Sequence, residues 1–183
     1  KLYPIYKSIK KVKKNPIIKN KDLIGFVGAP WTLLVYMINK ISPKKKLIKD
    51  FFKDNYLINR TLIIIEKFLK LHIKHQIKNG ATIIQIFDSW AGLLEDKIPE
   101  YIYTPTLKIV DYVKKLGVPV ICFPRGIKDY KNYCEIVKPD MINIDYDIDP
   151  KKLINKIKIP IQGGLDPKVL LTDRDNLKKE AEK

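Results

Sequence analysis

Two apolar stretches of this chain end in residues suited to chemistry. Gly25–Ile38 reads GFVGAPWTLLVYMI, and Ile84–Glu95 reads IQIFDSWAGLLE. Each begins as a strand and hands over to a loop or helix through small or polar residues. Each offers a hydroxyl near that hand-over, Tyr36 in the first and Ser89 in the second. Strand ends of this kind are where αβ folds hold their substrates. Tyr36 can hydrogen-bond a carboxyl group; on spacing alone, a half-buried tyrosine with a satisfied hydroxyl is the simpler account. Ser89 can donate to a carboxylate or cap a helix begun by WAGLLE, and its chemistry suits both. Asp88 is a rim carboxylate or the structural partner of a backbone amide, with the second favoured. Arg125 follows a strand and precedes Gly126, so its guanidinium either meets an anion at the mouth or lies solvated in its loop.

The elements that must position these residues are regular. Leu23–Gly28 is a compact apolar strand. Pro30 suits the first turn of a helix that Thr32–Lys40 continues. The residues before it, to Lys21, are basic, broken by Pro4 and Pro16, and read as a loop plus a short helix or strand. Lys44–Lys53 is a lysine-rich amphipathic segment. Leu57–Lys78 has helical period, with Leu57, Leu62, Ile65, Phe68, Leu69, His72 and Ile73 on one broad face. Asn79 and Gly80 cap its end. Strands follow at Thr82–Phe87, Val118–Phe123, Met141–Asp145 and Ile159–Gln162. Helices are expected over Pro99–Leu116, Lys128–Val137, Pro150–Lys156 and Asp173–Lys183.

The strand interiors are near-continuous Ile and Val, as in strands buried on both faces. Alternation with helices predicts an α/β fold with a parallel sheet. No glycine-rich phosphate turn of the GxGxxG or GxxxxGK[ST] type occurs. Polar residues gather instead at successive strand ends: Asp88 and Ser89, Arg125, Asp145, then Gln162 with Asp166. That is the arrangement of a (β/α)8 barrel mouth, although five strands cannot close such a barrel. Gly28 and Gly92 permit close packing, and Asp166 with Pro167 caps the following turn. His72 and His75 fit a core-edge and a surface position on the long helix rather than metal ligation.

With 183 residues, 45% of them hydrophobic, the chain can bury one sizeable core. It begins at Lys1 and ends in the charged run NLKKEAEK, which reads as a piece of a longer protein. The net charge of +16 comes almost entirely from lysine, the arginines being Arg60, Arg125 and Arg174. The lysines spread along every polar face, so compositional bias is favoured over a nucleic-acid or membrane surface. Scarce arginine also argues against bidentate phosphate recognition. Cys122 and Cys134 form no CxxC pair, and a reduced compartment fits them. No apolar run is long enough to span a bilayer.

GAPWTLLVYM, IFDSWAGLL and IQGGLDP resemble the three signature segments of the uroporphyrinogen decarboxylase family, in the family's order. VPVICFPRG and INIDYDIDP resemble the stretches between, so the likeness runs from about Leu23 to Leu171. It implies a partial (β/α)8 TIM barrel, with residues 1–183 as one domain from its central to late part. It implies cofactor- and metal-independent decarboxylation of the acetate side chains of uroporphyrinogen III, giving coproporphyrinogen III. A cytoplasmic homodimer, engaging neither nucleic acid nor membrane, is implied as well. The family's N-terminal arginine-rich loop, its catalytic aspartate and its late histidine would lie outside this chain, leaving the piece inactive alone. By motif, Tyr36 matches the active-site tyrosine and Ser89 the substrate-contacting serine. Phe26 and Phe87 match aromatics that line the pocket, and Arg125 stands where the family tends to place a cation toward a propionate. Gly164 departs from the usual asparagine, which leaves open any polar contact from that turn.

The implied reaction needs an electron sink. Protonating the pyrrole carbon beside an acetate makes a cationic ring that accepts the electrons left as CO2 departs, and a buried carboxylate stabilises that cation. A related barrel, the corrinoid- or coenzyme-dependent methyltransferases, is the nearest alternative. Its His-x-Cys-Gly zinc motif would fall where this chain reads CFPRG, without histidine. A lysine-faced scaffold for RNA or anionic lipid would not need GAPWTL or FDSWAG, and a truncated, inactive remnant is the other reading.

Overall fold

The computed structural model describes residues 1–40, 47, 52–94 and 98–182. Five parallel strands form one sheet in strictly sequential order: β1 (Ile24–Gly28), β2 (Ile83–Asp88), β3 (Val120–Pro124), β4 (Met141–Ile144) and β5 (Ile161–Gly163). The register assigns each residue to a face. Val27, Ile86, Cys122 and Ile142 align in one row, all buried under the helices. Phe87 pairs with Gly28 and Phe123 on the opposite face, and Phe26 on that face is 65% exposed. The sheet is therefore covered on one side and open on the other, as in an arc of a barrel whose inner wall faces a cavity.

Four helices supply the cover. α2 (Pro30–Asn39) starts directly after β1 with Pro30 in its first turn, where a missing N–H costs nothing. α3 (Asn55–Lys78) is capped by Asp54, whose carboxylate accepts from the Leu57 N–H at 2.8 Å. Its buried stripe is Ile58, Leu62, Ile65, Leu69, Ile73 and Gln76. The expected stripe included Leu57 and Phe68, which are exposed. Ile63, Ile64 and Leu71 make this helix apolar nearly all round, so period alone could not choose the face that meets the sheet. α4 (Thr104–Lys115) follows a π turn over Pro99–Tyr103 within the expected Pro99–Leu116 helix, and Gly117 closes it at φ +72°. α5 (Tyr130–Val137) begins after Asp129, whose side chain accepts from the Asn132 N–H.

Other expectations shift. The basic N-terminal stretch contains an eleven-residue helix, α1 (Tyr3–Lys13), because Pro4 falls in its first turn. Pro150–Lys156 yields only a 3₁₀ turn over Pro150–Lys152, capped by Asp149. β5 starts at Ile161 rather than Ile159, because Pro160 has no N–H to donate to the ladder; its carbonyl still accepts from Ile142. The last helix, α6, covers Arg174–Ala181 behind Asp173. Of Lys44–Lys53, only Leu47, Phe52 and Lys53 are among the described residues.

A side chain meets the backbone of β1 on the side away from β2. The Gln76 amide accepts from the Phe26 N–H at 3.1 Å and donates to the Phe26 carbonyl at 2.9 Å, as a neighbouring strand's peptide would. Gly25 makes room, since a Cβ there would lie 2.6 Å from Gln76 Oε1. With its orientation so fixed, Gln76 Nε2 donates its second hydrogen to His72 Nε2 at 3.1 Å. His72 is thus bare at Nε2 and carries its proton at Nδ1, which donates to the Tyr6 hydroxyl at 2.9 Å. His72 occupies a core-edge position, as expected, and its ring ties α1 through α3 to the sheet.

Candidate active site

The C-terminal tips of β1, β2 and β3 converge. The open sheet face carries Phe26, Phe87 and Phe123 edge to face, with ring centroids 6.1 and 6.2 Å apart. Phe26 and Phe87 are thereby brought together. Phe123 was not singled out from the sequence, although CFPRG places it at the same offset before a loop as Phe87 before DSW. Three rings make an apolar wall suited to a planar, unsaturated ligand.

Above this wall, α2 and the turn after β2 interlock. The Thr32 hydroxyl donates to Asp88 Oδ1 at 2.6 Å and accepts from the Trp90 N–H at 3.2 Å. The Trp31 indole N–H donates to the Trp90 carbonyl at 2.9 Å. Tyr36, one turn beyond Thr32, projects 45% exposed, with its ring edge-on to Trp90 at 6.0 Å. Ser89, half-buried, lies in the turn between Asp88 and Trp90. Tyr36 and Ser89 thus belong to one end of the sheet. The alternative role of Ser89 as a helix cap is not met: WAGLLE forms a 3₁₀ turn over Ala91–Leu93, with Trp90 at the cap and no side-chain bond.

Asp88 is structural in placement, but its partner is a hydroxyl rather than the expected backbone amide. It is almost fully buried, and its Oδ2 has no hydrogen-bond partner among the described residues. Burial pushes its carboxyl up to about 7, against the smaller opposing pull of the Thr32 bond.

Arg125 extends the mouth toward β4. Its N–H donates to the Asp88 carbonyl at 3.1 Å, and its own carbonyl accepts from Gly92 at 2.9 Å. The loops after β2 and β3 touch here, and a Cβ on Gly92 would lie 2.5 Å from the Gly126 carbonyl oxygen. The exposed Arg125 guanidinium approaches Asp145 Oδ1 at 3.9 Å. Asp145 Oδ2 accepts from the Gly126 N–H at 2.6 Å and the Tyr130 hydroxyl at 2.9 Å. Arg125 is therefore an exposed cation within reach of Asp145. Asp166 caps the next turn as expected, accepting from the Lys168 N–H.

Cys122 points to the helix side, away from Phe123, and burial pushes its thiol up to about 12. A thiolate ligand from β3, as a methyltransferase zinc site requires, is disfavoured at this position. Among the described residues no three His, Cys, Asp or Glu side chains form a metal-sized group, and no helix is long and apolar enough to cross a membrane.

The sequence matches the uroporphyrinogen decarboxylase (URO-D) family over residues 1–183. It is 38% identical to the uroporphyrinogen decarboxylase of Rickettsia bellii, over all of this chain and 56% of that protein. The Rickettsia felis enzyme is 36% identical, with all of this chain and 55% of that protein covered. The Rickettsia africae enzyme is 38% identical at the same coverage. The chain spans about half the length of these relatives. Its signature segments, its parallel sheet with intervening helices and this end-to-end match agree: the chain belongs to the uroporphyrinogen decarboxylase family.

Proposed function

We propose that the chain forms part of an enzyme that decarboxylates the acetate side chains of uroporphyrinogen III, with residues 1–183 serving as one barrel segment. The observation that supports this reading is the edge-to-face Phe26–Phe87 pair on the open face of the sheet, beside the turn after β2 where Tyr36 leans on Trp90, the neighbour of Ser89. The aromatic wall takes the pyrrole rings. Ser89 donates to a substrate carboxylate. The Tyr36 hydroxyl bonds either a reacting carboxylate or the carboxylate that stabilises the protonated ring. Arg125, leaning on Asp145, meets a propionate at the rim. A reducing, cytoplasmic setting fits two unpaired cysteines, and a homodimer is part of the same proposal.

The test is turnover of uroporphyrinogen by the intact protein. Tyr36→Phe and Ser89→Ala are each expected to lower kcat by about tenfold or more, near 1.4 kcal/mol of transition-state stabilisation, with unchanged melting. Undiminished conversion by both variants defeats the residue assignment. Light scattering that returned a monomer mass would remove the dimer.

A further inference from the structure

We propose that Thr32 and Asp88 are positioning residues that set Tyr36 and Ser89 to face one substrate, an inference that rests on the assignment of those two residues above. The geometry is economical. One hydroxyl, Thr32 Oγ1, holds both flanks of Ser89: it donates to the Asp88 side chain before it and accepts from the Trp90 backbone after it. Trp31 takes the remaining backbone group of Trp90 through its indole N–H. The first turn of α2 thus grips the end of β2 and the turn after it by three hydrogen bonds between residues 56, 58 and 59 positions apart. Four residues past Thr32, the same helix presents Tyr36, whose ring leans on Trp90. Any slip between α2 and β2 would move the two hydroxyls relative to each other, and such misplacement costs rate steeply.

Two further observations separate this from ordinary packing. Thr32 and Asp88 are 4% and 1% exposed, so their bond is made out of water, where it is strong. And Asp88 Oδ2 is buried without a partner among the described residues. A side chain kept only to fill space would not need a second polar oxygen there, because leaving it unmet costs stability. The Asp88 carboxyl is, however, the acceptor that holds the Thr32 hydroxyl, at 2.6 Å.

The experiment compares Thr32→Val, which keeps the shape, with Thr32→Ser, which keeps the hydroxyl, in the intact protein turning over uroporphyrinogen. Thr32→Val is expected to lower kcat roughly tenfold or more with KM within about twofold, while Thr32→Ser stays within about threefold of the parent. The Val cost is expected to shrink to under about threefold when measured in a Tyr36→Phe, Ser89→Ala background, because a residue that acts through those two has nothing left to position. A fully active Thr32→Val overturns the proposal. So does equal impairment of Val and Ser, or a Val cost undiminished in the double-variant background. Should Thr32→Val not fold, the Thr32→Ala and Thr32→Ser pair, which differ only in the hydroxyl, decides by the same criteria. If Tyr36→Phe and Ser89→Ala are themselves fully active, the active-site assignment fails first, and that result is distinct from a silent Thr32→Val.

Discussion

Two polar networks flank β1, each built through a helix, and they are built to different rules. On the side of β1 away from β2, the Gln76 amide meets both backbone groups of Phe26, and His72 and Tyr6 extend the chain of bonds to α1. All its members are neutral. At the tips of β1 and β2, Thr32 and Asp88 form a network with a carboxyl at its centre and one oxygen unmet. A satisfied neutral network stabilises, whereas a half-satisfied acid is retained at a cost in stability.

The largest expected consequence lies at the first network. Gln76→Leu strips both partners from Phe26 and leaves His72 Nε2 unmatched, so unfolding free energy of the intact protein is expected to fall by about 2–4 kcal/mol in denaturant titration. A loss under about 1 kcal/mol would mean that water replaces the amide on that side of β1. Gly25→Ala is expected to lose somewhat less, about 1–3 kcal/mol, because its new Cβ expels Gln76 Oε1 from 2.6 Å while leaving the amide free to find other partners.

The second network is expected to respond with the opposite sign. The Asp88 carboxyl titrates near 7 when folded and near the ordinary 3.8 when unfolded. The folded state then binds the extra proton between those values, and Asp88 makes stability fall as pH rises from about 4 to about 7. Asp88→Asn, neutral throughout, should flatten that slope and gain on the order of 1–3 kcal/mol at pH 8. A variant less stable than its parent at pH 8 would show that the carboxylate has a folded-state partner.

The smallest effect belongs to His72. Burial, and then the like charge of His75, hold its imidazolium below the ordinary value. Its contribution is complete above about pH 6.5 and is lost as pH falls below that, because the unfolded chain takes up the proton first. His72→Gln should remove this acid-side loss while Asp88→Asn leaves it in place, which separates the two networks in one pH series.

Much of this was legible in the sequence. The strands announced themselves as Ile- and Val-rich runs bounded by turn residues, and Ser89 falls just after β2 as its motif suggested, whereas Tyr36, expected near the hand-over from β1, lies inside α2. What escaped depended on distant partners. The buried stripe of α3 could not be read where Ile63, Ile64, Phe68 and Leu71 make the helix apolar on most sides. The role of Thr32 was hidden because nothing local reveals a hydroxyl shared with residues 56 and 58 positions away. Phe123 was legible in principle, since it repeats the offset of Phe87.

The strictly sequential strand order carries one more consequence. Among the described residues, every strand in this sheet hydrogen-bonds only to strands that are its neighbours in sequence. The sheet can therefore be laid down piece by piece as the polypeptide leaves the ribosome, with no strand waiting for a partner still to be synthesised two steps on.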